Sequence, residues 1–303
     1  MREIDVCYHH SDADGWASAA IVNAKKNYPM GYRAHYNSSE ILGNIAGRHV
    51  AIVDFSFPES VMKMIAQAAK SLIWIDHHED SKYLLEKDWW DSISTNTDPI
   101  KQGSKENGLT AIWDVSEAAC VLCWNYLHTE VMPDSVKYIG DRDIWRFNHP
   151  ETKDYNYGLD MLPGIADPRS TTWQELLYSN KLTENLIQAG QIISARVNSE
   201  CIWHARLRSH IVQDGDRKFI LTNCTSNMSE ISAYLIETFD VPIVLMWDIA
   251  KDCLSLHGRG EGAREFFGGL LKGHPSACGA KLALPEGWGL IQELHKKARR
   301  VMP

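Results

Sequence analysis

Three short apolar runs in the first 80 residues alternate with helical patterns, and this rhythm constrains the fold more than any other feature. Strands are predicted at 4–10, 49–55 and 71–76, with helices over 16–27 and 58–70 between them. Parallel strands need such crossover connections, whereas antiparallel strands can be joined by a tight turn. The pattern therefore predicts an α/β fold whose N-terminal domain is a parallel sheet with flanking helices.

Each predicted strand ends in side chains that commonly bind metal ions. In strand order they are Asp12 and Asp14, then Asp54, then Asp76, His77 and His78. Ligands bind at the C-terminal edge of an open parallel sheet, so we expect these side chains to converge. The carboxylates would repel one another without a cation between them. Carboxylate and imidazole ligands without thiolate suit Mn²⁺ or Mg²⁺ better than a structural zinc site, and several carboxylates indicate two divalent cations ~3.5–4 Å apart.

The charge is distributed unevenly along the chain. Residues 1–165 carry 15 Lys and Arg against 24 Asp and Glu, net −9, whereas residues 166–303 carry 16 against 15, net +1, which together give −8. This acidity argues against coating of long duplex DNA. The acidic half is either a solvated surface or the metal-binding half. No apolar run reaches the ~18 residues of a membrane span, no signal peptide is evident, and seven scattered cysteines favour a reducing cytoplasm.

The length of 303 residues suggests two domains. A loop-like stretch around 160–172 precedes a long helical pattern with apolar residues from Leu182 to Val197. Beyond it, a helix over 229–239 and a hairpin over 243–256 predict a second, smaller α/β domain. We expect a catalytic domain over 1–165, a helical connector over 166–205 and a substrate-binding domain over 206–303.

Two helices are predicted between the third strand and the connector. Ser116 is the expected N-cap of a helix that contains Cys120 and Cys123. Pro133 is expected to open a helix that ends near Tyr138. The two cysteines form a Cys-x-x-Cys, but their apolar neighbours favour buried helix positions over a redox or zinc pair.

Four motifs of the chain resemble those of the DHH phosphoesterases. They are His10-Ser-Asp12-Ala-Asp14-Gly15, Val53-Asp54, Asp76-His77-His78 and Ile139-Gly140-Asp141-Arg142-Asp143. A fifth, Gly273-His274-Pro275-Ser276-Ala277-Cys278-Gly279, resembles the Gly-Gly-His-x-x-Ala-x-Gly signature of the associated DHHA1 domain. The five motifs occur in the family's order over almost the whole chain, which resembles the nano-RNase and pAp phosphatase type.

The resemblance implies a dinuclear Mn²⁺ site with the substrate held between two domains. One cation would be held by His10, Asp12 and Asp54. The other would be held by Asp14, Asp54, His77 and Asp141, with Asp54 bridging. Asp76 would orient an imidazole, and His78 would face the substrate phosphate. His10 is preferred to His9 as a ligand, and Asp141 to Asp143, which is expected to pair with a neighbouring arginine.

In the second domain, the resemblance implies that His274 contacts a phosphate or terminal nucleotide with help from the backbone at Gly273. Many DHHA1 domains read Ser-Leu-Arg-Ser where this chain has Ser255-Leu256-His257-Gly258-Arg259. Arg259 is therefore the expected replacement for the phosphate clamp, His257 is a further expected substrate contact, and the identity of the substrate stays open. Most aromatic residues are expected in the core, with Trp145 and Phe266 as candidates to stack a base.

The expected function is that of a cytoplasmic Mn²⁺-dependent phosphodiesterase. It would hydrolyse short oligonucleotides or linear dinucleotides to nucleoside monophosphates with a metal-activated water. The alternatives are a pAp-type phosphomonoesterase, a cyclic-dinucleotide phosphodiesterase, a single-strand-specific exonuclease and a non-catalytic nucleotide sensor. Neither a membrane nor long duplex DNA is an expected partner, and a homodimer is left open.

Overall fold

A computed structural model describes residues 4–26, 30–33, 45–87, 89, 108–250, 252–274 and 276–300. The chain divides into two compact units, Met1–Ile193 and Ser194–Pro303. The boundary falls within a 28-residue helix, Asn180–Leu207, where the sequence predicts a helical connector. Among the residues described, no helix is both long enough and apolar enough to cross a membrane. The limits 1–165, 166–205 and 206–303 stay predictions.

The first unit is built on a five-stranded parallel sheet, so the expected α/β fold class is confirmed. Its strands are β1 (Val6–His9), β2 (Met30–Arg33), β3 (His49–Val53), β4 (Ser71–Asp76) and β5 (Leu109–Trp113). Their order is β2-β1-β3-β4-β5, and every neighbouring pair is parallel. β1, β3 and β4 are the strands that the sequence predicts, whereas β2 and β5 were not predicted.

Helices cover both faces of this sheet, as a parallel sheet requires. They are α1 (Ala13–Lys26), α2 (Glu59–Ala68), a 3₁₀ helix (Glu79–Glu86), α3 (Ala119–Leu127), α4 (Asp134–Asp143), α5 (Thr152–Leu159) and α6 (Thr171–Tyr178). Alternate residues of β3 enter different apolar clusters: Ala51 packs in the cluster that includes α1 and α3, and Ile52 in the cluster that includes α2. The sheet is therefore buried on both faces. The polar residues of the site lie at the ends of its strands.

The second unit contains a seven-stranded mixed sheet that follows the long helix α7 (Asn180–Leu207). Its strands are β6 (Ser209–Asp214), β7 (Arg217–Asn223), β8 (Val244–Ala250), β9 (Cys253–Arg259), β10 (Lys272–His274), β11 (Ala277–Ala283) and β12 (Ala298–Arg300). Its helices are α8 (Met228–Phe239), α9 (Ala263–Phe266) and α10 (Leu284–Lys296). The strand order is β10-β11-β9-β8-β7-β6-β12. The predicted helix and hairpin are confirmed as α8 and the antiparallel pair β8–β9.

The predicted N-cap of α3 is wrong. The helix begins at Ala119, and the N-cap is Ala118, whose side chain has no polar atom to bond the first N–H groups. Ser116 lies in the preceding turn, where its hydroxyl donates to Asp114 Oδ1 at 2.7 Å. A side chain distant in sequence replaces it as the cap, as described below.

Helix α4 is longer than predicted and runs through to Asp143. A glycine after Tyr138 resembles a helix stop, but Gly140 serves close packing instead. A Cβ atom at Gly140 would lie 2.7 Å from Val121 Cγ2 of α3, so only glycine allows the two helices to approach this closely. The extra turn carries the aspartates of the fourth motif.

Candidate metal centre

The ends of three neighbouring strands deliver the predicted ligands to one place. His9 at the end of β1 pairs with Val53 of β3, which pairs with Ile75 of β4. The residues that follow these positions are His10, Asp54 and Asp76, and they share one edge of the sheet. The predicted convergence of the strand ends is present in the structure.

The turn after β1 places two aspartates at the start of α1. Asp12 caps the helix, with its Oδ1 accepting the backbone N–H of Gly15 at 3.0 Å and its carbonyl accepting that of Trp16 at 2.9 Å. A Cβ atom on Gly15 would lie 2.5 Å from the backbone oxygen of His10, so the tight turn requires glycine. The turn thus holds Asp12 and Asp14 in fixed positions.

The carboxylate of Asp14 caps a second helix. Its Oδ2 accepts the backbone N–H of Ala119 at 2.9 Å, and its Oδ1 accepts that of Cys120 at 2.8 Å. These two groups belong to the first turn of α3, where backbone N–H groups have no partner within the helix. Burial, followed by the charge of Asp54, raises the pKa of Asp14 to about 7.

One group of potential ligands comprises His10, Asp12 and Asp54. His10 Nδ1 lies 2.6 Å from Asp12 Oδ2 and 3.7 Å from Asp54 Oδ2. These two carboxylates raise the pKa of His10 to about 10. Although burial raises the pKa of Asp12, the hydrogen bonds from His10 and Gly15 outweigh it and lower the pKa to about 2. The preference for His10 over His9 agrees with the geometry, because the buried His9 ring contacts the carbonyl of His10 instead.

A second group comprises Asp14, His77 and Asp143. His77 Nε2 lies 3.7 Å from Asp14 Oδ2 and 3.4 Å from Asp143 Oδ2. It also lies 3.3 Å from Asp54 Oδ1, so Asp54 faces both groups through its two different oxygens. Burial, followed by the charge of Asp14, raises the pKa of Asp143 to about 7.

Asp54 is the residue whose environment most clearly calls for a cation. It is fully buried, and neither carboxylate oxygen has a hydrogen-bond partner among the described residues. Its backbone is in the left-handed region, with φ of 63°, a strained conformation that tends to occur at functional sites. Burial is the main cause that raises the pKa of Asp54 to about 7. A buried carboxylate that faces other carboxylates and imidazoles is a group that could hold a divalent cation.

His78 belongs to a third group of potential ligands, with Asp54 and His77, and is also paired with Asp76. Asp76 Oδ1 lies 2.8 Å from His78 Nδ1 and accepts the backbone N–H of His77 at 2.8 Å. Asp76 is fully buried, whereas 44% of the His78 side chain is exposed. The hydrogen bond to Asp76 is the main cause that raises the pKa of His78 to about 9. Asp76 thus lies behind the imidazole of His78.

Asp141, the ligand that the resemblance implies, lies outside both groups. Its Oδ1 accepts the backbone N–H of Asn148 at 2.8 Å, and its Oδ2 accepts that of His149 at 3.0 Å and the hydroxyl of Thr152. Burial raises its pKa, but these hydrogen bonds together lower it below the usual value. Asp143 stands in the group instead, with its Oδ2 3.4 Å from His77 Nε2.

The cysteine prediction is confirmed. Cys120 and Cys123 lie in α3, are fully buried and are free thiols. Burial raises the pKa of both thiols well above the usual value, so neither is poised to act as a nucleophile.

The sequence-predicted residues of the second unit gather on three adjacent strands. His257 and Arg259 lie on β9 and share a face, because they are two residues apart. β11 pairs Ala277 with Arg259 on one side and with His274 of β10 on the other. Gly273 is next to His274 on β10, at the edge of this sheet. Burial lowers the pKa values of both His257 and Arg259.

A cleft of about 300 Å³ opens beside the two ligand groups. Three of its lining residues, Asp12, Asp14 and Asp143, belong to those groups. The others are Ala13, Ile139, Arg142, Trp145, Asn156 and Asp160. Its size is at the lower end of the range for small-molecule sites, ~300–1,000 Å³.

Solved structures share this architecture. The DHH domain of a member of the s1p family of ribosomal proteins superimposes with a TM-score of 0.52 over 97% of this chain and 86% of that chain, at 14% identity. The chain has the DHH-domain fold. A pGpG-specific phosphodiesterase of Vibrio cholerae superimposes with a TM-score of 0.50 over 97% of this chain and 99% of that chain, at 12% identity. At such identities the likeness establishes the fold alone.

Sequence comparison adds one weaker relationship. No protein-family profile matches the chain. An uncharacterized protein of Acanthamoeba polyphaga mimivirus is 25% identical over 166 residues, which are 50% of this chain and 35% of that protein. The match thus spans about a third of that curated relative. The resemblance to the DHH phosphoesterases is confirmed in the fold, and the chain brings together carboxylate and imidazole groups that could hold a metal ion.

Proposed function

We propose that this protein is a phosphoesterase that works with two divalent cations. The observation that carries the proposal is Asp54, a fully buried carboxylate that faces one ligand group through each oxygen. Within the part of the chain that the structure describes, neither oxygen has a hydrogen-bond donor. A structural ion pair would pair such a carboxylate with Arg or Lys. Here the neighbours are carboxylates and imidazoles, which together are a ligand set for metal ions.

The proposed ligands follow from the two groups. His10, Asp12 and Asp54 hold one cation, and Asp14, Asp54, His77 and Asp143 hold the other. Asp143 replaces Asp141 in this assignment because its Oδ2 lies 3.4 Å from His77 Nε2, whereas Asp141 lies outside the ligand groups. We propose Mn²⁺ as the metal because the set mixes imidazole with carboxylate, and Mg²⁺ is the alternative.

The proposed chemistry is hydrolysis without a covalent intermediate. Two divalent cations supply a hydroxide nucleophile near neutral pH and draw charge from the phosphoryl oxygens. The chain supplies orientation and proton control. Asp76 fixes the His78 ring through Nδ1, which leaves Nε2 to donate a hydrogen bond to a phosphate oxygen. With its pKa raised to about 9, His78 holds this proton at neutral pH.

The proposed substrates are short oligonucleotides or linear dinucleotides, with nucleoside monophosphates as products. The small cleft supports short substrates, and a pGpG-specific phosphodiesterase shares the fold. His257, Arg259, Gly273 and His274 are the proposed substrate contacts of the second unit. All seven cysteines are free, which supports the proposed cytoplasmic location.

The test combines metal analysis with a substrate panel. Purified protein is loaded with Mn²⁺ or Mg²⁺, its metal content is measured, and hydrolysis is followed with di- to pentanucleotides, long RNA, pAp, cyclic dinucleotides and single-stranded DNA. We expect two metal ions per chain and highest activity on the shortest RNAs. Activity that rises with RNA length, or is confined to pAp or cyclic dinucleotides, would contradict the substrate proposal.

Asp54→Asn tests the centre itself. We expect it to abolish turnover and to lose metal, because it removes the carboxylate that faces both groups. Asp252→Asn is the matched control, since Asp252 is exposed in the turn between β8 and β9. Turnover that survives both chelation and Asp54→Asn would overturn the proposal. Tight nucleotide binding by the metal-loaded protein without turnover would instead support a sensor.

A further inference from the structure

The loop after α4 carries a partly exposed tryptophan into the cleft beside the ligand groups. Trp145 is 45% exposed and lines that cleft together with Asp12 and Asp143. Large aromatic side chains are usually buried. Covering the exposed indole in this polar cleft would therefore be favourable. This tryptophan lies beside three carboxylates that would hold metal, so its neighbour in a complex would be the substrate.

The backbone of this loop is held in an unfavourable conformation. Trp145 has φ of 55° and Phe147 has φ of 50°, both in the left-handed region that bulky residues avoid. Such strain persists only where the surroundings enforce it, and it clusters at ligand sites. The strained backbone of this loop is therefore consistent with a functional role for the position of Trp145.

Asp141 is the residue that enforces the loop conformation. Its backbone oxygen accepts the N–H of Arg146 at 2.9 Å, and its carboxylate accepts the N–H groups of Asn148 and His149. The N–H of Phe147 also bonds the backbone oxygen of Asp141, at 3.4 Å, so four N–H groups around the strained residues are bonded to Asp141. Asp141 acts as a positioning residue for the loop that carries Trp145.

Much of Trp145 is left to solvent, since the residue is 45% exposed. Its ring contacts that of Phe147 at 4.8 Å between centroids and 82° between planes. A perpendicular contact occupies at most one face of the indole, so Phe147 leaves the other free. Phe147 is held in turn by Lys153, whose Nζ lies 5.1 Å from the centre of its ring.

We propose that Trp145 is the platform on which a nucleobase of the substrate stacks when its phosphate is at the metal centre. The inference rests on the proposed phosphoesterase function and makes it specific: the site selects nucleotides over inorganic polyphosphates and sugar phosphates. An indole offers any base a flat apolar face, so the selection is for a base and is tolerant of its identity. The cations would neutralise the carboxylates of the cleft where the phosphate binds, whereas the base would lie against the indole.

Binding of AMP and ribose 5-phosphate to the metal-loaded protein tests the stacking directly. The two probes differ in the base, so the difference in their Kd values measures its contribution. We expect AMP to bind more tightly than ribose 5-phosphate, and Trp145→Ala to weaken AMP by about 5- to 150-fold. Ribose 5-phosphate should be unaffected, and Trp145→Phe should retain most of the AMP affinity.

Trp288→Ala is the control, because Trp288 is similarly exposed, at 42%, but lies on α10 in the second unit. Equal affinity of the native protein for both probes, or equal loss of both on Trp145→Ala, would overturn the stacking role. Metal content of the variants is measured alongside, and metal lost from Trp145→Ala would also overturn it. If AMP binds as expected but no phosphoester is hydrolysed, the proposed function fails while the stacking role stands.

Discussion

The carboxylate of Asp14 accepts the backbone N–H of Cys120 at 2.8 Å, across 106 positions of sequence. The same carboxylate accepts the N–H of Ala119 and faces His77, so a proposed metal ligand is also the cap of a helix. The cap fixes the carboxylate before any metal binds. One side chain thus serves both as a proposed metal ligand and as the cap of α3.

Asp14→Asn should therefore lower both the stability of the protein and the number of metal ions that it binds. An amide offers one acceptor oxygen where the carboxylate offers two, so one N–H at the start of α3 loses its partner. We expect the free energy of unfolding of the metal-free protein, measured in urea, to fall by about 1–2 kcal/mol. The metal-loaded variant should hold one cation fewer. Ser116→Ala is the control, and we expect it to stay within about 0.5 kcal/mol because Ser116 is not the N-cap. A larger effect from Ser116→Ala would contradict the assigned cap.

The strand ends of the site were predictable from the sequence, because continuous apolar runs mark buried parallel strands. The choice between Asp141 and Asp143 was not. The two residues are two positions apart on a helix, so they differ by about 200° of rotation about its axis and point to nearly opposite sides. Which one faces the site depends on how α4 packs on its neighbours, and the close approach of Gly140 to Val121 of α3 is one part of that packing. No local pattern records that contact.

The cap by Asp14 and the left-handed backbone of Asp54 escaped prediction for the same reason. An Asp-x-Asp after a strand indicates a turn or a ligand, and only the folded structure shows a second helix arriving at its carboxylate. At Asp54 the strain is enforced by tertiary contacts, among them the 2.8 Å hydrogen bond from its N–H to the carbonyl of Ile75. Local propensity would have disfavoured that conformation.

The stability of the metal-free protein should fall as pH rises. The pKa values of the buried Asp14 and Asp54 are raised from 3.8 to about 7, so the folded state binds protons that the unfolded state has released. The free energy of unfolding is then highest near pH 4 and decreases toward pH 7, by several kcal/mol at most. Thermal unfolding in chelator between pH 5 and 8 measures this, and Asp54→Asn should flatten the curve. A Tm that rises over this interval, with and without Asp54→Asn, would contradict the assigned burial.

Divalent cations should reverse that trend. They bind the ionised carboxylates, so bound metal favours the folded state most where protons have left, above pH 7. We expect the gain in Tm on adding Mn²⁺ to increase from pH 5.5 to pH 8. A gain independent of pH would indicate that the metal binds elsewhere than at Asp14 and Asp54.

Asp143→Asn and Asp141→Asn should separate a ligand from a positioning residue. Asp143→Asn removes a carboxylate that faces His77, and we expect it to lose one of two bound cations. Asp141→Asn weakens the hydrogen bonds that hold the Trp145 loop, and we expect full metal content with a KM for dinucleotides raised about tenfold and a smaller change in kcat. The reverse pattern of metal content would restore Asp141 as the ligand.

Asp76→Asn should act on catalysis through His78. The amide can still bond the ring, but it no longer favours the charged imidazole, so the pKa of His78 falls from about 9 toward its usual value. We expect kcat to drop about 10- to 100-fold at pH 8, with the alkaline limb of the pH–rate profile moved to lower pH and metal content unchanged. The recovery of activity at lower pH distinguishes this role from general damage to the fold. His78→Gln, which leaves Asp76 in place, should show the same loss of kcat without the shifted limb, since it has no group to titrate. If Asp76→Asn lowers kcat equally at every pH, the carboxylate supports the loop rather than the proton on His78.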